Sequence, residues 1–193
     1  MSQISTIIFD LDGTLVDAFQ ALTDSLNYAF EKTGNPQMDI DTVRRSVGWG
    51  ENKLLASFVQ PKDMDRVMEH YREHHAGALQ KGVVFLPGVK DVLAQLHGDG
   101  YRMCVATNRP SRFTRIILEH LQVDQLFQVI VCADQVARPK PEPDMLFEIM
   151  QRLSLCQKEC LYVGDMTVDV ETGRAAGIKT VAVTTGSSTR EDI

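Results

Sequence analysis

The chain has 193 residues, of which 44% are hydrophobic and 24% charged, and its formal net charge is -6. This acidic balance argues against a nucleic-acid partner, which would need a basic face to meet the phosphate backbone. No apolar run approaches the ~20 residues of a membrane span, and no signal-peptide pattern opens the sequence, so we expect a cytoplasmic protein without a membrane partner.

The first predicted strand, residues 6–10, ends in two carboxylates, because Asp10 is followed by Leu11 and Asp12. Residues two apart in a strand project to the same side, so Asp10 and Asp12 are expected to face whatever lies beyond its carboxyl end. One carboxylate can attack or hold a metal while the other moves a proton. A hairpin turn is the alternative, but residues 19–30 have helical spacing and favour strand, turn and helix.

The segment between residues 10 and 102 is far longer than the ~30 residues of one strand-helix-strand unit. It contains three or four helical patterns, including residues 52–59 and 64–71, and Pro87-Gly88 marks the return to the main layer. We therefore predict a helical cap domain at 17–83, inserted into a catalytic core formed by 1–16 and 84–193. A cap placed directly after the two carboxylates can exclude water from them.

Strands and helices alternate regularly through the rest of the chain. The predicted strands are 102–107, 129–133, 161–164 and 180–183, and the helical patterns are 91–96, 113–121, 145–153 and 168–176. With the first strand, this alternation predicts an α/β fold with a Rossmann-like parallel sheet of about five strands flanked by helices. Ligands of such sheets bind beyond the carboxyl ends of the strands.

Two further polar segments follow predicted strands. Thr107 and Asn108 offer a hydroxyl and an amide, and the helix that begins after them favours an anion at its N-terminus. Lys140 stands between two prolines, which limit its backbone freedom and predict a positioned ammonium. A stiff loop with a solvated lysine is the alternative, which we consider weaker because of the carboxylates at the other strand ends.

The predicted strand 161–164 ends in Gly164 and is followed by Asp165, and Asp169 comes one helical turn later. Four acids at one edge of the sheet would repel one another unless a divalent cation neutralised them. Carboxylate oxygens together with a phosphate favour Mg²⁺ over zinc. Helix capping is the competing interpretation, more for Asp169 than for Asp165.

These four segments together resemble the haloacid dehalogenase-like hydrolases, whose four motifs appear here in order. The joint pattern consists of Asp10-Leu-Asp12-Gly-Thr14, Thr107-Asn108, Lys140 and Gly164-Asp165, and it covers nearly the whole chain. The Leu15-Val16-Asp17 continuation, the early cap and the proline-rich segment around Lys140 look like the family's phosphoglycolate phosphatase-like branch.

The resemblance implies that Asp10 is a nucleophile that forms an aspartyl phosphate. Asp12 would protonate the leaving oxygen and later activate water. Lys140 would offset charge and orient Asp10, and Mg²⁺ would lie between Asp10, the Asp12 carbonyl and Asp165.

Further residues of the motifs would support this chemistry. Thr14, Thr107, Asn108 and Lys140 would bind the phosphate, while Gly164 would let the backbone approach closely. Asp169 would be a support or an outer ligand. Met166 departs from the family pattern, since a serine is common at that position.

The implied function is hydrolysis of a small soluble phosphate monoester, with phosphoglycolate the first substrate to try. Dehalogenation is disfavoured, because the dehalogenases of this family lack the acid at the position of Asp12. A phosphomutase of the beta-phosphoglucomutase type, which returns the phosphoryl group to a sugar, is the first alternative. A catalytically silent module that binds a phosphate ligand is the second. The oligomeric state is not indicated.

Two local patterns in the predicted cap are declined. His70 and His74 match the spelling of an inverted zinc-protease motif, but they flank the apolar stripe of a helix and predict a surface role. Gly48-Trp49-Gly50 lacks the third glycine of a dinucleotide fingerprint. It is instead expected to form a cap loop, with Arg45 or Lys53, or the neighbouring Arg44, as candidate contacts to the substrate's non-phosphate end.

Overall fold

Five parallel strands form the central sheet, and the strand that precedes Asp10 lies in its middle. The computed structural model describes residues 4–193. In chain order the strands are β1 (Thr6–Phe9), β2 (Val16–Asp17), β3 (Val84–Phe85), β4 (Arg102–Thr107), β5 (Phe127–Cys132), β6 (Cys160–Gly164) and β7 (Lys179–Ala182). The sheet order is β5-β4-β1-β6-β7, while β2 and β3 form a separate antiparallel ribbon.

Eight α-helices accompany the strands in this part of the chain. They are α1 (Phe19–Thr33), α2 (Ile40–Ser46), α3 (Glu51–Ala56), α4 (Met64–Gly82), α5 (Val89–Gly98), α6 (Ser111–His120), α7 (Asp144–Leu153) and α8 (Thr167–Ala176). Between residues 4 and 193, none of them combines the length and the apolar character that crossing a membrane requires.

The central sheet is covered on both faces, as expected for strands that are continuously apolar. Every residue of β1 is buried. Ile7 and Phe9 join a cluster with Phe113 and Ile117 of α6, whereas Ile8 joins a cluster with Ile149 of α7 on the other face. This alternation follows the two-residue period of a strand. The predicted α/β class with a five-stranded parallel sheet is confirmed.

Helices α1 to α4 lie between β2 and β3 and share their own apolar cluster, which includes Phe30 of α1, Leu55 of α3 and Tyr71 of α4. The predicted helical insertion after the first strand is thus confirmed as an element of the fold. The division of the chain at 16/17 and 83/84 falls inside or beside the β2–β3 ribbon and stays a prediction.

The order of the sheet determines where a ligand can bind. Phe9 of β1 pairs with Val105 of β4 on one side and with Val163 of β6 on the other. In chain order, β4 and β5 are added on one side of β1, and β6 and β7 are then added on the other side. A crevice opens beyond the carboxyl ends of the strands at such a switch point, and Asp10 is the residue that enters it.

Candidate active site

Asp10 continues β1 by one residue and is buried at the crevice. Its backbone N–H donates to Val163 O at 2.8 Å, and its Oδ1 accepts a hydrogen bond from Lys140 Nζ at 2.7 Å. Burial raises the pKa of Asp10 well above its ordinary value, while Lys140 opposes that rise. Within residues 4–193 no side chain or backbone group donates to Oδ2, so this oxygen is free to meet a ligand.

Lys140 supplies the charge that faces Asp10. Its side chain is 1% exposed, and Nζ lies 2.7 Å from Asp169 Oδ1 as well as from Asp10 Oδ1, with Tyr162 Oη at 3.1 Å. Burial alone would lower the pKa of Lys140, but the two carboxylates outweigh it and raise that pKa. The ammonium therefore stays charged in the interior.

The proline-bounded loop that carries Lys140 is held by the side chain of Asn108. Asn108 Oδ1 accepts from Lys140 N at 3.0 Å, and Asn108 Nδ2 donates to Lys140 O at 3.2 Å. The same Nδ2 donates to Gly48 O of the helical insertion at 3.0 Å. Asn108 therefore positions the lysine and ties the insertion to the sheet.

Asp169 uses both of its oxygens inside the protein. Oδ1 accepts from Lys140 Nζ and from Tyr162 Oη, each at 2.7 Å, and Oδ2 accepts from the backbone N–H groups of Asp165 and Met166. These last two bonds cap the start of α8, so the capping interpretation applies to Asp169 in addition to its contact with the lysine. A Cβ on Gly164 would lie 2.4 Å from Asp169 Cβ, which explains the glycine.

Asp165 is fully buried at the end of β6. Oδ1 accepts from Thr14 Oγ1 at 3.0 Å, and Oδ2 accepts from Ser187 N at 2.9 Å. Burial raises the pKa of Asp165 to about 6. The backbone approaches closely here, because a Cβ on Gly13 or Gly186 would lie 2.5 or 1.9 Å from Oδ2, and Gly13 has a φ of +80°.

Three buried acids form a group that could hold a metal ion. One carboxylate oxygen each from Asp10, Asp165 and Asp169 lie within 4.8 Å of one another. Hard oxygen donors around a compact site suit Mg²⁺, and a dication would relieve the repulsion among them. Each Asp169 oxygen accepts two hydrogen bonds, whereas each Asp165 oxygen accepts one. Asp10 and Asp165 are therefore the better direct ligands, and these residues fit the ion that the sequence implied.

Asp12 forms an ion pair that the sequence analysis did not predict. Arg109 donates to both of its oxygens, from Nη2 to Oδ1 at 2.7 Å and from Nε to Oδ2 at 2.8 Å. The Arg109 side chain is only 5% exposed. Burial would lower the pKa of Arg109, but Asp12 outweighs that effect and raises it, so the guanidinium stays charged.

The far side of Arg109 is held by the helical insertion. Arg109 Nη1 lies 2.8 Å from Nε2 of His75 on α4. Burial, followed by the charge of Arg109, lowers the pKa of His75 to about 2, so the ring is neutral and Nε2 accepts this hydrogen bond. Its Nδ1–H then faces Ser25 Oγ at 3.0 Å, and Ser25 in turn donates to Ala21 O.

A cavity of about 40 Å³ lies between the carboxyl edge of the sheet and the insertion. It is lined by Asp10, Asp12, Leu22, Val47, Gly48, Gly50, Glu51, Leu54, Tyr71, Thr107, Asn108, Arg109, Pro110 and Phe113. Thr107 is buried in this wall, and its Oγ1 accepts from Arg109 N at 3.1 Å. Carboxylates, a hydroxyl and an arginine thus converge on one small space, an arrangement suited to acid-base and nucleophilic chemistry.

The basic residues proposed as cap contacts lie elsewhere. Arg45 and Lys53 are exposed around a separate surface depression, and Lys53 Nζ lies 4.4 Å from the centre of the Trp49 ring. Neither lines the cavity beside Asp10. His70 and His74 also stay outside the candidate metal group found in residues 4–193, which consists of aspartates alone.

Sequence reasoning missed several residues at this site. Arg109 directly follows Thr107 and Asn108, so its adjacency was a usable signal. His75 lies on the buried face of α4 with Val67, Tyr71 and Leu79, and nothing in that pattern signals its contact with Arg109. Glu51 and Tyr162 carry no motif that would single them out.

Comparisons with known proteins agree with this geometry. Residues 7–183 match the model of the haloacid dehalogenase-like hydrolase family. The chain is 32% identical over 189 residues to a phosphoglycolate phosphatase of Pseudomonas fluorescens, covering 93% of this chain and 69% of the relative. It is 31% identical over 204 residues to that of Aliivibrio fischeri, covering 98% and 88%.

A crystal structure described as a predicted phosphoglycolate phosphatase from Haemophilus somnus superimposes with a TM-score of 0.89 at 27% identity, covering 96% of this chain and 88% of that one. The match of sequence and fold extends over nearly the full length. The chain therefore belongs to the haloacid dehalogenase-like hydrolase family, in its phosphoglycolate phosphatase-like branch, and is a phosphatase of that family.

Proposed function

We propose that the protein is a Mg²⁺-dependent phosphatase that hydrolyses a small phosphate monoester through an aspartyl phosphate on Asp10. The observation that carries the proposal is the buried carboxylate of Asp10, one oxygen of which is held by Lys140 while the other is free beside a cavity shared with Asp12. Phosphoglycolate is the first substrate to test, because the relatives named above are phosphoglycolate phosphatases.

In the first half-reaction, Asp10 Oδ2 attacks phosphorus and the bond to the ester oxygen breaks. The attack requires an ionised Asp10, although burial favours its protonated form. Lys140 opposes that effect from 2.7 Å and neutralises charge without leaving the site. The leaving oxygen receives a proton from Asp12, and an alcohol is released.

In the second half-reaction, Asp12 takes a proton from water, the water oxygen attacks phosphorus, and the bond to Asp10 breaks. Inorganic phosphate leaves, and both aspartates return to their starting states. Arg109 orients the Asp12 carboxylate through two hydrogen bonds, which support its role as the base. We propose that substrate binding rearranges this pair before Asp12 acts as the acid.

Mg²⁺ would be held by carboxylates of Asp10 and Asp165 and by the Asp12 carbonyl. When bound, the ion neutralises charge on the phosphoryl oxygens. Thr107 is proposed to contact the phosphoryl group from the cavity wall. Thr14 and Asn108 are proposed to act through the residues they bind, since Thr14 donates to Asp165 and Asn108 holds the Lys140 loop.

We propose that residues 17–83 act as the cap over a core of 1–16 and 84–193, and that the enzyme works in the cytoplasm on a small phosphorylated metabolite. The bond from Asn108 to Gly48 O and the apolar cavity wall support a cap that excludes water from the reacting groups.

The proposal is tested by phosphate release from a panel of esters with Mg²⁺, comparing wild type with Asp10→Asn. Asp24→Asn on exposed α1 surface is the matched control. We expect Asp10→Asn to lose turnover while it stays folded at the assay temperature, since Lys140 keeps its contact with Asp169, and Asp24→Asn to match wild type. Near-normal phosphatase rates in Asp10→Asn would refute the nucleophile. A hexose phosphate isomer that accumulates without free phosphate would favour a phosphomutase.

A further inference from the structure

Glu51 places a carboxylate of the helical insertion in the wall of the catalytic cavity. It is the first residue of α3, its side chain is 10% exposed, and it lines the same space as Asp10 and Asp12. It lies outside the four motif segments. An acid at this position must either be neutralised inside the protein or act on what enters the cavity.

The protein donates hydrogen bonds to only one of the two Glu51 oxygens. Arg72 of α4 donates to Oε1 twice, from Nε at 2.9 Å and from Nη2. Oε2 is buried and has no hydrogen-bond partner among the residues that the structure describes. A buried acceptor without a donor destabilises the free protein, and a ligand that supplies the donor recovers that loss.

No other residue of the wall, as the structure describes it, donates to Oε2. Leu22, Leu54 and Phe113 have apolar side chains. Arg109 is the cation in the lining, but its Nε and Nη2 donate to Asp12 and its Nη1 to His75. A second anionic group of a ligand in this part of the cavity would therefore lie near the Glu51 carboxylate. Much of the Arg109 guanidinium could not bind it, because Asp12 and His75 already accept hydrogen bonds from that group.

We propose that Glu51 is a specificity residue that selects phosphate esters whose leaving alcohol carries a second hydroxyl, which donates a hydrogen bond to Oε2. This inference rests on the proposed phosphatase function and narrows its substrate class. A neutral hydroxyl fits better than an ammonium, because Arg72 and Arg109 already supply positive charge nearby. The ionised carboxylate of glycolate offers no donor and adds like charge.

A purely internal role for Glu51 would be to join α3 to α4 through Arg72. That role needs Oε1 alone, since both N–H groups of Arg72 converge on it. It also predicts no dependence of ligand choice on the charge of Glu51. The two roles can therefore be separated by measuring ligand preference rather than stability.

Binding is measured by calorimetry with Mg²⁺ in an Asp10→Asn background, so that the result does not depend on turnover. The three probes are glycerol 1-phosphate, which has hydroxyls, propyl phosphate, which has none, and phosphoglycolate. We expect glycerol 1-phosphate to bind at least about tenfold more tightly than propyl phosphate. This is the difference in affinity expected when a ligand makes one additional hydrogen bond to a charged group. Adding Glu51→Gln should reduce this ratio to about twofold and strengthen phosphoglycolate binding, whereas adding Glu69→Gln on the exposed face of α4 should change neither.

Equal binding of glycerol 1-phosphate and propyl phosphate would overturn the inference without any Glu51 variant. An unchanged ratio in a folded Asp10→Asn/Glu51→Gln protein would overturn it as well. The proposed function fails by a different result, namely a wild-type enzyme that releases no phosphate from any ester of the panel.

Discussion

Replacing Lys140 by methionine removes a buried ammonium whose Nζ lies 2.7 Å from both Asp10 Oδ1 and Asp169 Oδ1. Methionine keeps most of the side-chain volume, so the change is mainly one of charge. Two buried carboxylates then face each other without a cation. We expect the pKa of Asp10, already raised by burial, to rise further, because the attraction that opposes burial is lost.

The size of the effect follows from the burial of all three groups. Breaking a buried ion pair by removing one partner costs about 3–5 kcal/mol, a large part of a typical domain stability of roughly 5–15 kcal/mol. The variant should stay folded at room temperature but melt earlier. Loss of a positioned charge at the reacting group should lower kcat/KM about 10²–10³-fold at pH 7, with protonation of Asp10 adding to that loss.

The pH dependence has a definite sign. A carboxyl whose folded pKa exceeds its unfolded pKa holds more protons in the folded state, so stability falls as pH rises between the two values. In Lys140→Met the stability deficit relative to wild type should therefore shrink between pH 7 and pH 5, when both proteins are melted in EDTA. Lys158→Met, at an exposed lysine, is the control and should stay within about 0.5 kcal/mol of wild type at both pH values.

A deficit that stays constant or grows toward pH 5 would refute this reasoning. So would a Lys140→Met enzyme with near wild-type kcat/KM at pH 7, since the ammonium would then have no part in keeping Asp10 ionised. Melting curves and initial rates on the same preparations separate loss of fold from loss of chemistry.

Three further perturbations test other contacts. Asp12→Asn should lower kcat about 10²–10⁴-fold in steady-state phosphate release while Asp10 is still phosphorylated by a reactive donor such as acetyl phosphate; unchanged kcat would contradict the acid-base role. Gly48→Ala would place a Cβ 1.8 Å from Met166 Sδ at a φ of +113°, so we expect its KM to rise several-fold. Adding Met166→Ala should lower KM part of the way back to the wild-type value, and an unchanged KM in the single variant would argue against this contact. Asp165→Asn should raise the Mg²⁺ concentration needed for half-maximal rate at least about tenfold, and wild type in EDTA should be inactive; activity in EDTA would exclude the proposed ion.

Much of the core could be predicted from sequence because its elements carry clear periods. The strand predicted at 102–107 has those bounds in the structure, and the strand predicted at 129–133 is Phe127–Cys132. Asp10 and Asp165 could be expected to meet because the carboxyl ends of parallel strands share one edge of the sheet. The proline-bounded lysine loop returns to the same edge.

The remaining features depend on contacts that no local pattern reports. Strands β2 and β3 have two residues each, and α2 buries only Val43. None of these three elements therefore shows a periodic pattern of apolar residues. Arg109 and Asp12 are 97 positions apart, and their pairing depends on how the strands are ordered. Arg45 was expected near the substrate because it is basic and precedes the cap loop, but no local pattern distinguishes such a contact from an exposed surface position.

The central claim is that Asp10 carries the phosphoryl group during turnover, and it can be measured directly on the Asp12→Asn protein, which should hydrolyse that intermediate slowly. The protein is mixed with acetyl phosphate and Mg²⁺, because acetate leaves without a proton from residue 12. The sample is then quenched in acid, digested and analysed by tandem mass spectrometry with and without hydroxylamine. We predict a hydroxylamine-labile phosphoryl adduct on Asp10. An adduct on any other residue, or no adduct at Asp10 under conditions in which phosphate is still released, would contradict the account.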